Sequence, residues 1–516
     1  MEVIKKNIHM DRIKAQAVMQ FAVEDDVNIP DSKPDVHMLN LEKGELVIDE
    51  IKPGADVVNL RGYLSYVLLY HTVESGSSLV SLQGRIAVDE RMHMQGVSPS
   101  DYVRLETEVE DLTVSMIHSR KINIQSMITV SAYVDELYDE EIPVDLRGEE
   151  KVEYRRMILE PAQLCISKND IFRIKEEITL TSNYPNIYQI LWSTISLGDV
   201  EFKAVDNQLN LSGDVHAFIL YEGEGEEHPV RSYEAILPFS GSLPCSGCRE
   251  GMIPDVRYRL SQKEVAARPD FDGEERSIGL DLVMDCGIRV FEEDRMEMIS
   301  DIYGVTKEIE TEGYPAKLKK LLARATGKAK VTDHVRVKAG NVLQLIHSEG
   351  VIHQEQQTIL ENGVMLQGTI SIRIMYITGN DEAPYDCETG QIPYRYTLDI
   401  PGITPSDTVT VHGELEQLQV MMLDSEEMDV KAVLSFSTVA FQEIPVSVIS
   451  EMSVKPIDAE KLNNLPGMVI YTVKPGDNLW NIGKKYYTSV EDLRKLNALE
   501  SDVIYPGQKL LIVKQG

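Results

Sequence analysis

Through most of its length the chain alternates apolar and polar residues with a period of two, the pattern of half-buried β-strands. Leu60, Gly62, Leu64, Tyr66, Leu68 and Tyr70 fall on one face of a single long segment. Similar alternation runs over Ile122–Val134, Ile278–Phe291 and Val430–Phe441. Glu222-Gly223-Glu224-Gly225 and Thr378-Gly379-Asn380-Asp381 punctuate it with hairpin-like turn chemistry. After Pro34, Pro185 and Pro315 the period changes, and Ile187, Ile190 and Leu191 are spaced as on a brief helix. The charged stretch Asp135–Glu153 reads as a linker, and Ala459–Gly467 as a short tether.

The alternating segments repeat. Phe21 and Phe172, Pro34 and Pro185, Gly62 and Gly213, and Tyr70 and Tyr221 are all 151 positions apart (172 − 21). A third copy matches Asp170–Ile178 to Asp301–Ile309, Tyr184-Pro185 to Tyr314-Pro315, and the glycine-to-tyrosine strand to Gly368–Tyr376. The span from Pro to Gly is 28 residues in the first two copies (62 − 34) but 53 in the third (368 − 315), which implies an insertion of 25. The predicted fold class is multidomain and mainly β. Three tandem, sandwich-like repeats span 1–140, 150–295 and 296–455, followed by a small βααβ domain at 468–516.

That last domain carries the clearest local signals. Val469, Tyr471 and Val473 alternate as a strand, as do Leu510 and Ile512. Pro475-Gly476 forms a turn, and Asp477 is placed to cap a helix whose apolar face is Leu479, Ile482 and Tyr486. Ser489 and Asp492 make a capping box for a second helix carrying Leu493 and Leu496, and Pro506-Gly507 turns the chain into the final strand. This order of elements resembles the LysM module, a βααβ unit that binds N-acetylglucosamine-containing glycans and sometimes proteins. The sequence departs from that pattern at Asn478, where Thr or Ser is common, and at Gly483, where Ala is common. The resemblance implies ligand contact by two loops: Gly476, Asp477, Asn478 and Leu479, and then Leu499, Glu500, Ser501, Asp502, Val503, Ile504 and Tyr505.

Charge separates this module from the rest. The chain has 516 residues and a net charge of −33. From Met468 onward seven Lys/Arg face five Asp/Glu, a net of +2, which leaves −35 for the remainder. So acidic a body disfavours nucleic acid and anionic lipid. The N-terminus lacks the apolar core of a secretory signal, no apolar run is long enough to span a bilayer, and five irregularly spaced cysteines fit a reducing compartment.

Candidate chemistry is sparse. Cys245-Ser246-Gly247-Cys248 is the single CxxC, but it has no second pair of metal ligands and no βαβ context, so structural cysteines are the simpler reading. His93, His347 and His353 lack catalytic partners at fixed spacing, and no phosphate-cradling glycine loop exists. Trp480 reads as a core aromatic, and the acidic run Glu222–Glu227 as a solvated loop. No enzymatic activity, cofactor or metal is expected.

Tandem β-rich repeats followed by a LysM module resemble the SipL-type spore coat morphogenetic proteins, whose repeats are SPOCS domains. That resemblance implies a non-enzymatic scaffold or adaptor in the mother-cell cytoplasm at the forespore surface. Its partner there would be the coat-assembly ATPase, its LysM docking protein, glycan or both. The alternative is a peptidoglycan-binding cell-wall protein.

Overall fold

The computed structural model describes residues 2–72, 79–148, 151–225, 228–337, 342–380, 384–457 and 466–513. Asp381, Glu226, Glu227 and most of the expected tether lie outside these residues.

Strands dominate, as the alternation predicts. The first repeat runs β1 (Glu2–Asn28), β2 (Met38–Pro53), β3 (Val57–His71), β4 (Leu79–His93), β5 (Arg104–His118) and β6 (Lys121–Arg147). It forms two antiparallel three-stranded sheets, ordered β1-β6-β5 and β2-β3-β4. The second repeat runs β7 (Val152–Leu159), β8 (Ala162–Thr179), β9 (Ile187–Val205), β10 (Gln208–Gly223), β11 (Val230–Pro244), β12 (Ile253–Pro269), β13 (Glu275–Glu293) and β14 (Met296–Gly304). Its sheets are β12-β13-β8 and β11-β10-β9, with a ribbon β14-β7. The third repeat, β15 (Glu308–Arg336), β16 (Val342–Leu360), β17 (Gly363–Thr378), β18 (Tyr385–Asp399), β19 (Thr408–Met422) and β20 (Glu427–Lys455), restates the plan as β15-β20-β19 and β16-β17-β18.

Each repeat buries one core between its two sheets. In the first, Leu60, Leu64, Tyr66, Leu68 and Tyr70 of β3 meet Ile122, Ile124, Ile128 and Val130 of β6. Each such aliphatic side chain contributes about 1.5–3 kcal/mol on burial. The paired landmarks of the sequence then acquire a role. Tyr70 Oη donates to the Pro34 carbonyl at 2.9 Å, and Tyr221 Oη to the Pro185 carbonyl at 3.2 Å, tying the long strand to the preceding turn.

Three expectations are corrected. Ile187, Ile190 and Leu191 lie in β9, not on a helix. Register shifts opposite Leu220/Tyr221 and Glu222/Gly223 insert extra residues, and these bulges break the alternation into a helix-like spacing. Asp135–Arg147 is not a linker but the second half of β6, paired with the start of β1. Its charges form cross-strand pairs, Arg12–Glu136 at 2.7 Å and Lys5–Glu141 at 2.8 Å.

The third correction concerns the register of the third repeat. Tyr314-Pro315 sits inside β15 opposite Val448 and Ser447, whereas Pro185 precedes β9 in a turn. Gly213 to Gly368 and Tyr221 to Tyr376 share one offset of 155 (368 − 213), and the two sheets align on it without a 25-residue insertion. A shared dipeptide was too short to distinguish a strand from a turn. Asp301 to Gly304, expected at the start of the third repeat, instead belongs to β14 and pairs with β7.

The repeats also pack on one another at two levels. Leu41 and Leu69 of the first, Leu191, Trp192, Phe218 and Leu220 of the second, and Met375 of the third form one shared cluster. At the other level the extended ends of β1–β6 and β15–β20 join the β7–β14 ribbon around Ile8, Met10, Ile142, Met298, Leu318 and Val448. The final domain is β21 (Met468–Thr472), α1 (Leu479–Tyr486), α2 (Val490–Leu496) and β22 (Lys509–Val513), with β21 and β22 antiparallel.

Candidate ligand-binding module

The C-terminal module has a small core of its own: Val473, Leu479, Ile482, Leu493, Leu510 and Ile512. Its helices are capped, with one shift from expectation. Asn478, not Asp477, caps α1, its Oδ1 accepting from Asn481 N at 2.8 Å. Asp477 instead closes the preceding turn, accepting from Lys474 N at 2.7 Å and from Tyr471 Oη at 2.7 Å. These two bonds hold its carboxyl below the usual range. Ser489 caps α2 as expected, accepting from Asp492 N at 3.0 Å.

The eleven loop residues do not act alike. Leu479 is 1% exposed and belongs to the core, so its side chain is unavailable to a ligand. Leu499 and Ile504 also turn inward against that core. Glu500 accepts from Arg494 Nη2 through its carbonyl at 3.1 Å, and Asp502 pairs with Arg494 Nε at 3.5 Å, which braces the second loop. Ser501 Oγ accepts from Val503 N at 3.4 Å. Val503 and Tyr505 project outward, 60% and 68% exposed, and Gly476 lies exposed in its turn.

The helices of the module rest on the repeats, a contact the sequence reading missed. Trp480 is not in the module's core; it packs with Tyr303 and Val305 of the β14 segment. The Tyr303 and Trp480 rings meet edge-on at 4.8 Å. Trp480 Nε1 donates to Asp301 Oδ2 at 2.7 Å, Lys484 Nζ to Asp301 Oδ1 at 2.6 Å, and Tyr303 Oη to the Thr488 carbonyl at 3.0 Å. Burial raises the Asp301 carboxyl, but the Lys484 and Trp480 hydrogen bonds outweigh it and keep the group ionised below its ordinary range. Gly483 explains itself here. A Cβ at that position would lie 2.6 Å from Tyr303 Oη and 2.7 Å from the Thr488 carbonyl, so alanine would push the module off the ribbon. The departure at Gly483 was the one sequence signal that pointed to this contact.

The family described as LysM domain matches residues 471–513. The family described as SipL, SPOCS domain matches residues 23–117, 186–267 and 341–423, half of the chain and one segment in each repeat. The chain belongs to the SipL, SPOCS-domain family. Both matched families are binding domains rather than catalytic ones. Several curated proteins with enzyme names are similar over this module. A probable N-acetylmuramidase of Lactococcus lactis is 55% identical over 42 residues, 8% of this chain and 10% of that protein. A probable peptidoglycan endopeptidase LytE of Bacillus subtilis is 52% identical over 40 residues, 8% of this chain and 12% of that protein. A putative sporulation-specific glycosylase YdhD of the same organism is 49% identical over 45 residues, 9% and 11% of the two chains. The chain thus covers about a tenth of the length of these relatives. No solved structure shows a significant match. No helix among the described residues is long and apolar enough to cross a membrane.

The CxxC of this SPOCS-family chain is a turn, and its repeats show why. Cys245 and Cys248 occupy the places of Met94 and Val97 in the first repeat and Ile400 and Ile403 in the third. In each turn a glycine with φ of 84–88° donates its N–H to an Asp or Asn that is itself left-handed. The pairs are Gly96 to Asp56 at 2.7 Å, Gly247 to Asn207 at 3.1 Å, and Gly402 to Asn362 at 2.8 Å. Both thiols are buried, and burial raises the pKa of Cys245. No group of potential metal ligands gathers among the described residues. The histidines serve as seams. His347 Nδ1 lies 2.8 Å from Glu234 and stacks on Phe218, and His353 pairs with Glu108, each contact joining the third repeat to another. His93 ends β4, exposed.

Proposed function

We propose that this protein is a non-enzymatic adaptor of spore coat assembly, in which three SPOCS repeats form a rigid base and the LysM module carries the ligand contact. The observation that carries this reading is the docking of Trp480 and Lys484 on Asp301, which occupies one side of the module while Gly476, Val503 and Tyr505 stay exposed on its loops. Within those loops Gly476, Asn478, Glu500, Ser501, Asp502, Val503 and Tyr505 form the contact, with Tyr505 as the aromatic anchor. The partner is the coat-assembly ATPase at the forespore surface, in the mother-cell cytoplasm. The sandwich-like reading of the repeats and the domain limits 1–140, 150–295, 296–455 and 468–516 belong to the same proposal, with 296–304 reassigned to the second repeat. A second reading, peptidoglycan binding, is favoured by the wall-enzyme names of the module's relatives.

Isothermal titration of the full chain against the coat-assembly ATPase and against N-acetylglucosamine oligomers separates the two. Replacing Tyr505 by Ala is expected to weaken ATPase binding by about 1–3 kcal/mol. Micromolar oligomer binding with no ATPase binding selects the peptidoglycan reading.

A further inference from the structure

Six sheet edges converge on one chamber. β2, β5, β9, β12, β16 and β19 are end strands, each hydrogen-bonded along one side only in its sheet. Residues of all six line a continuous cavity of about 2740 Å³, to which every repeat contributes. Exposed Tyr102 and Ile51 on its lining mark where it meets solvent. The site therefore exists only in the assembled three-repeat body, away from the LysM loops.

The lining combines two features of strand recognition. Its side chains alternate apolar groups with carboxylates: Ile236 and Val351 stand 65% and 59% exposed among thirteen Asp or Glu and six Lys or Arg. Most of those acids already have partners, such as Glu45 with Lys263 at 3.0 Å and Glu349 with Arg373 at 2.9 Å. Glu42 on β2 and Glu414 on β19 have no hydrogen-bond or ion-pair partner among the described residues. Both are partly buried, and burial raises both carboxyls: Glu42 despite the opposing charge of Arg373, and Glu414 to about 7 with Asp199 adding to the effect. A half-buried carboxyl of this kind gains most from an incoming ammonium group. An open strand edge beside it offers backbone donors and acceptors to an extended chain.

We propose that the chamber binds an extended, lysine-rich segment of a partner protein, added as a strand along an inner sheet edge, with ammonium groups meeting Glu42 and Glu414. Apolar residues alternating with the lysines would pack against Ile236 and Val351. The reading is independent of what the LysM module holds.

The test is fluorescence anisotropy of a labelled, alternating Lys-Val peptide titrated with the full chain. Saturable one-to-one binding is expected, weakened about tenfold by Glu42→Gln combined with Glu414→Gln. Glu250→Gln with Glu491→Gln, both exposed and outside the chamber, should leave it unchanged. A peptide of equal charge interrupted by prolines should not bind, because proline cannot complete the strand ladder. A photo-crosslinking peptide on the unsubstituted chain should label β2, β5, β16 or β19, which needs no variant to fold. Equal binding of the proline peptide, full competition by spermine, indifference to the paired Gln substitutions, or labels confined to other surfaces would each overturn the proposal in favour of adsorption to an acidic protein.

Discussion

The LysM module and the three-repeat body solve the same problem, burying enough apolar surface, in opposite ways. The module closes a core of six buried residues within about forty positions, with its own caps and turns. The body builds each core from two sheets, one of which pairs strands more than ninety positions apart in sequence, as β1 with β6. It then joins three such units through shared clusters. Local closure makes a fold legible and portable. Distributed closure makes surfaces, seams and a chamber that no single segment encodes.

The largest effect that would sharpen this contrast is expected in the body. Phe436 is fully buried in the third core and stacks on Tyr396 at 5.5 Å. Phe436→Ala should cost the body about 3–5 kcal/mol in denaturant unfolding. Amide exchange within 468–513 should stay unchanged; loss of protection there would break the contrast. In the module, Leu510 is fully buried in a core too small to absorb a cavity. Leu510→Ala should cost about 2–5 kcal/mol and unfold the module while Trp192 fluorescence, from the body, keeps its native emission.

Between the two lies the docking contact. Gly483→Ala should cost about 1–3 kcal/mol of docking, because the added Cβ would meet Tyr303 Oη at 2.6 Å and, at 2.7 Å, the Thr488 carbonyl that accepts from it. In a Trp192→Phe background the emission of Trp480 should shift red, as its ring leaves Tyr303 for water. An unshifted spectrum would show that the ribbon yields instead.

Acid should undo the same contact. The Asp301 carboxyl has a depressed pKa when docked, so its contribution is complete above the free-carboxyl value of about 4 and is lost as pH falls through the lower docked value. The His353–Glu108 seam has the reverse sign for its histidine. The Glu108 hydrogen bond raises the His353 pKa, so that contribution is full below about 6.5 and fades as pH rises through the raised value. Trp480 emission should therefore change on the acid side, and body stability on the neutral-to-alkaline side. A single shared transition would mean that the regions are not separable.

The smallest effect belongs to the CxxC. Cys245→Val with Cys248→Val should cost less than about 1.5 kcal/mol, because the equivalent turns already hold Met94, Val97, Ile400 and Ile403. A larger loss, or stoichiometric zinc in the unsubstituted protein, would restore a special role to the pair.

Period-two alternation and the Ser489 cap were readable because each depends on neighbours close in sequence, and the 151-residue offset because the first two repeats keep one spacing. The first cap was placed one residue early, at Asp477 instead of Asn478. Tyr70 and Tyr221, singled out as landmarks, do hold matching positions. Where reading failed, the cause was a local signal with two physical meanings. Bulges gave Ile187, Ile190 and Leu191 a helical spacing, and a charged strand face from Asp135 to Arg147 looked like a linker. Of the loop residues expected to meet a ligand, Val503 and Tyr505 are exposed, but the burial of Leu479, Leu499 and Ile504 depended on how the module closed.

By itself the sequence determined the strands, the repeat and the βααβ module, since side-chain period and capping act within a few residues. The tertiary structure alone decided that Trp480 serves the ribbon rather than the module's core, that Gly483 makes room for Tyr303, and that six free edges surround one chamber. Those outcomes rest on contacts between residues more than a hundred positions apart, such as Asp301 with Trp480. No local pattern specifies which distant surface a side chain meets, because that is settled only when the cores have formed and brought their outer faces together.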